Sequence, residues 1–86
     1  MKTLDDKQLR WLKWIAFDNM KWLENHIGRS GMLHIQEVVQ KREYGDFITP
    51  QLNLIRESFI EDEWILNKWR GKLKWEREYP LTEHQL

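Results

Sequence analysis

The stretch LDDKQLRWLKWIAFDNMKWLENHIG, residues 4–28, decides how the rest of the chain is read. About 24 of its residues run without Pro or an internal Gly, enough for about 36 Å of helix. At roughly 100° per residue, Leu9, Leu12, Ala16, Met20, Leu23 and Ile27 form one apolar ridge. Leu4, Trp11, Ile15 and Trp22 form a second ridge beside it. Two ridges cover more of the circumference than a coiled-coil seam needs, so this helix should pack on two neighbours. Thr3 and Asp6 have the spacing of a capping box, and Asp5 and Asp6 place negative charge at the positive end of the helix dipole. Gly28 supplies a left-handed residue just past the last apolar position. The spacing predicts one helix over residues 4–27.

Two aromatic residues fall outside those ridges. Trp14 and Phe17 lie on the opposite side, in line with Arg10 and Lys21 and beside Lys13. Either a third element covers this stripe or the Lys and Arg stems shield the rings, or else it is a contact surface for another chain or a nucleic acid. A second copy is the simplest partner, since two copies can bury the same stripe across a two-fold axis. The expected homodimer would use Arg10, Trp14, Phe17 and Lys21.

Working outward, Ser30 can cap a second helix over residues 31–43, with Ile35, Val38 and Val39 on one side. The short link makes it antiparallel to the first. Its β-branched content leaves a strand over 32–39 as the alternative. Thr49 and Pro50 have the pattern of an N-cap and first helical residue, and Lys68, Arg70 and Gly71 that of a C-terminus. A third helix is therefore expected over 50–70, burying Leu52, Ile55, Phe59, Leu66 and Trp69, with Asp62 intruding on that face. Beyond Gly71 the residues alternate, so 72–79 reads as a short strand, or as a helix extension at a cost of about 1 kcal/mol for the glycine. Pro80 would stop either structure, and residues 81–86 read as a frayed tail.

The expected fold is thus mainly α, a compact bundle of about three helices in one domain spanning residues 1–86. Six Trp in 86 residues supply unusual apolar area for a small core. A chain that is 33% charged and 41% hydrophobic has a folded composition rather than a disordered one. The absence of Cys removes disulfides, thiolate nucleophiles and thiolate-bound metals, and fits a reducing cytoplasm. No apolar run has the length of a signal sequence core or a membrane span, so no membrane association is expected.

Chemistry is sparse. His26, His34 and Glu37 have spacings that a helical hairpin could converge on a metal, yet such sets arise often by chance, and no metal or cofactor is expected. Phosphate loops, zinc-protease helices and nucleophile elbows are missing, so the chain is not read as an enzyme. What remains is binding. Net charge is formally zero, but acidic residues concentrate over 57–63 and basic ones over 68–77, with Trp64 and Trp75 off the apolar faces. Local polarity with surplus aromatics suits a small soluble protein-interaction module: an adaptor, inhibitor or regulator contacting another protein or itself. The alternative is nucleic-acid binding of helix-turn-helix type. It would use Gln51, Asn53 and Arg56 for reading and Lys68, Arg70, Lys72, Lys74 and Arg77 with the Trp residues for the backbone.

Overall fold

The computed structural model describes residues 2–78, with side chains through residue 76. The protein is mainly α. In chain order it runs β1 (Lys2–Thr3), α1 (Asp6–Lys13), a π-helical turn (Trp14–Asp18), α2 (Met20–Lys41), β2 (Glu43–Tyr44), a 3-10 turn (Asp46–Ile48), α3 (Thr49–Glu61) and α4 (Glu63–Glu78). Its contacts gather into two units, residues 1–56 and residues 57–86.

The first unit is a helical hairpin. Its opening cap is Asp5, whose carboxylate accepts from the Gln8 N–H at 2.7 Å. Thr3 does not cap, because it is extended and pairs with Glu43 while Lys2 pairs with Tyr44, antiparallel. The Leu4 N–H continues this ladder to the Arg42 carbonyl at 3.0 Å. Residues 2–4 thus lie beside 42–44, and Gln36 reaches Ala16, so the 29–41 arm of α2 returns antiparallel to what precedes Gly28. Gly28 breaks α2 at φ 79°, ψ 168°, a region essentially restricted to glycine. Helix resumes directly at Arg29, so Ser30 is inside α2 rather than its cap. The expected turn is present. A Cβ on Gly31 would meet the Ile27 side chain at 3.0 Å, which shows how closely the corner is packed.

The predicted single helix over 4–27 is interrupted. A π-helical turn occupies Trp14–Asp18, and Asn19 leaves helical geometry at φ −132°, ψ 43°. An α-helix repeats every 3.6 residues, and a π turn takes up an extra residue, so every later position is rotated from where regular spacing would put it. Asn19 therefore turns inward, and Met20, expected on the apolar ridge, is 44% exposed. Side-chain amides catch carbonyls in this segment. Asn19 Nδ2 donates to Trp14 O at 3.2 Å and Gln36 Nε2 donates to Ala16 O at 2.9 Å. Leu12, Ile15, Leu23, Ile35, Ile48, Leu52 and Ile55 are fully buried.

The 29–41 arm is helix, not strand, and ends on Arg42, whose left-handed φ of 62° lets its N–H donate to Val38 O at 2.8 Å. The 3-10 turn then runs directly into α3. The Thr49 N–H donates to Asp46 O, so Thr49 is already helical rather than an N-cap, and its buried hydroxyl has no hydrogen-bond partner.

In the second unit, the expected helix over 50–70 is two helices meeting at Asp62. The Asp62 N–H donates to Ser58 O and its carbonyl accepts from the Leu66 N–H, both at 3.0 Å. Its carboxylate accepts from the Trp64 N–H at 3.1 Å, capping α4. One of these bonds closes α3 and the other opens α4, so Asp62 is the junction at which one helix stops and the next begins. Helix continues through Gly71 to Glu78, so Gly71 does not terminate it and 72–78 is not a strand. An i,i+4 bond from Lys72 to Glu76 supports the turn that follows the glycine. Phe59 and Ile65 are buried, and Leu66 and Trp69 are half-buried. The expected stop at Pro80, the frayed tail over 81–86 and the Arg77 side chain lie outside the described residues.

Candidate interaction face

The exposed side of α4 carries the strongest candidate. Trp64, Lys68, Gly71 and Trp75 follow one another at spacings of four, three and four, which aligns them along one helix face. Trp64 is 61% exposed and Trp75 53%. Between them the helix is bare at Gly71, where an added Cβ would have nothing within 4 Å. Ile60, near the end of α3, is also 67% exposed. Because Trp64 and Trp75 are eleven residues apart, about 16 Å of helix separates them.

Charge surrounds this apolar stripe. Lys68 Nζ sits 4.8 Å from the centroid of the Trp64 ring, a cation–π contact that holds the ring against the helix. Arg70 and Lys74 are exposed beside it. Lys72 turns elsewhere: it bonds to the buried Glu76 carboxylate and lies 6.0 Å from the Trp69 ring. Glu61 and Glu63 border the other end. The face is apolar along its middle, acidic at its start and basic beyond its centre.

The other predicted contact stripe does not form. Trp14 is only 6% exposed, buried with Ile15 and Ala16, while Arg10, Phe17 and Lys21 stay on the surface. The π turn is the reason, since it places three consecutive residues inward where an α-helix would turn Trp14 away. The helix-turn-helix set is also dispersed in character. Asn53 is exposed, whereas Gln51 and Arg56 are half-buried and Arg56 Nη1 donates to Asn53 Oδ1 at 3.4 Å. The link between α2 and α3 holds a paired strand and a 3-10 turn, in place of the tight turn that motif uses.

A cleft of ≈ 600 Å³ in the first unit was not apparent in the sequence. His34, Glu37 and Lys41 line one wall and Tyr44, Phe47 and Ile48 the other. Lys41 Nζ bonds Glu37 Oε1 at 2.6 Å, and this hydrogen bond and charge hold the Glu37 carboxyl below, and the Lys41 ammonium above, their ordinary values. His26 rests against the Trp22 ring at 4.3 Å, and among the described residues no three His, Asp or Glu side chains converge to hold a metal. Among the same residues no helix is long and apolar enough to cross a membrane.

No protein-family model, curated protein or solved structure matches this chain.

Regular spacing had already singled out Trp64 and Trp75. It missed Gly71 as a member of the same face. The signal was present in the 64, 71, 75 spacing, but Gly71 read as a helix end and so separated Trp75 from Trp64.

Proposed function

We propose that this protein is an interaction module that docks another protein chain on the exposed face of α4. The observation that carries the reading is the pair Trp64 and Trp75, both more than half exposed and aligned on one helix with the bare backbone of Gly71 between them. Large aromatic side chains lose little rotamer freedom on binding and dominate the centres of protein interfaces. The surrounding Lys68, Arg70 and Lys74 supply the charged rim. An adaptor, inhibitor or regulator acts through a face of this kind, and catalysis has no part in the reading.

Nucleic-acid binding draws support from the same basic and aromatic residues. Less favours it: Lys68 already covers Trp64, Lys72 is bonded to Glu76, and the net charge is zero. The experiment that separates the two combines a column with a double variant. The chain should pass through immobilised single-stranded DNA at physiological salt. Trp64→Ala with Trp75→Ala should abolish association with a protein partner, a second copy included, while the circular dichroism spectrum stays helical. Retention on DNA that falls steeply as salt rises would overturn the proposal in favour of phosphate recognition.

A further inference from the structure

The occupant of this face can be argued from its charge. In α4 the acidic Glu63 stands at the start of the exposed stripe, and Lys68, Arg70 and Lys74 follow it on the surface ahead of the buried Glu76. At 100° per residue, Glu63 and Lys74 fall on one flank of the apolar stripe. We propose that the partner of the α4 face is a second copy of this chain, packed antiparallel across a two-fold axis beside residues 67 and 68. The inference rests on the reading of α4 as a docking face and names its partner.

The geometry favours that arrangement over others. An antiparallel two-fold pair brings like flanks of the two helices together and reverses their direction. Glu63 of each copy then faces Lys74 of the other. A parallel pair would set acidic side chains against acidic ones. The same register puts Trp64 of one copy over the bare backbone at Gly71 of the other, where an added Cβ would have nothing within 4 Å. Trp64 and Trp75, the exposed aromatic side chains of the stripe, gain cover in this pairing. A formal net charge of zero leaves no overall repulsion between copies. One helix per copy makes a small interface, so dissociation constants on the order of micromolar are expected.

Sedimentation equilibrium over concentrations up to about 1 mM, the weak end of specific association, tests the proposal. The wild-type chain should dimerise. Gly71→Gln, a good helix former that fills the hollow, should give monomer with unchanged helical content. Lys74→Glu and Glu63→Lys should each weaken self-association by about tenfold or more, since each faces like charges twice. Mixing these two charge variants one to one should restore a dimer, now of mixed composition. That rescue cannot come from a folding defect. A wild-type chain that stays monomeric throughout would overturn the inference. So would a dimer indifferent to Gly71→Gln and to both charge reversals. A monomer that still binds a different protein through Trp64 and Trp75 would end this inference and leave the proposed function standing.

Discussion

Residues 14–19 and residue 62 both interrupt a helix, and they leave their neighbours in opposite conditions. At the first, a π turn and a non-helical Asn19 shift the phase of the helix, so Trp14 is buried and Met20 is exposed against the regular pattern. At the second, Asp62 ends α3 with its N–H on Ser58 O and opens α4 with its carboxylate on the Trp64 N–H. Trp64 and Trp75 both lie after that break, on the unbroken helix α4, and stay exposed as their spacing gives. A helix break misleads a reading of a face when the face runs across it. Each aromatic residue therefore has to be judged by the break that precedes it.

The largest test of this contrast substitutes one Trp in each region. Trp14→Ala should cost about 3–5 kcal/mol, the range for emptying a buried aromatic site, and calorimetry should show a large fall in melting temperature. Trp64→Ala should change stability by no more than about 0.5 kcal/mol, because its ring is mostly in water. Equal losses at both sites would break the comparison. The effect of Trp64→Ala belongs instead on association.

A smaller effect should come from the amide that secures the π turn. Gln36→Ala leaves the Ala16 carbonyl without the donor at 2.9 Å, part-buried between the two arms of the hairpin. The expected loss is about 1–3 kcal/mol in a urea titration, the penalty for an unpaired buried acceptor. A loss near zero would mean that the π turn holds without its tether, and the phase shift would then have to come from packing of Trp14 and Ile15 alone.

The smallest effect is electrostatic. Glu37 has its carboxyl pKa lowered by Lys41, so its contribution to stability is present above the unfolded carboxylate value and is lost as pH falls through the lowered folded value. Lys41 is raised by the same pair, so its part is present below its unfolded value and is lost as pH climbs through the raised one. Both groups are exposed, and the pair should be weak. Glu37→Gln should lower the melting temperature slightly at neutral pH, with the difference from wild type shrinking under acid. A difference that widened under acid would contradict the assignment. No exposed pair of this kind is needed to account for the helical break at either site.

Much of the local architecture was legible from the residues themselves. Gly28 had to be a turn because glycine alone occupies that backbone region cheaply, and Leu12, Ile15, Leu23, Ile55 and Phe59 had to be buried because they recur at helical spacing. The acidic and basic segments around residue 67 were likewise visible as composition. Long-range contacts decided the rest. Regular spacing assumes an unbroken 3.6-residue period, and the break at 14–19 is accompanied by Gln36, twenty residues on from Ala16, reaching the π turn. The pairing of Lys2 and Thr3 with Tyr44 and Glu43 also drew Thr3 out of its expected cap and left that task to Asp5. Gly71 remained helical because the cost of one glycine, about 1 kcal/mol, is small beside the packing and ion pairing of the turns around it. A local pattern states what each segment prefers, and the hydrogen bonds available across the hairpin determine which of those preferences is realised.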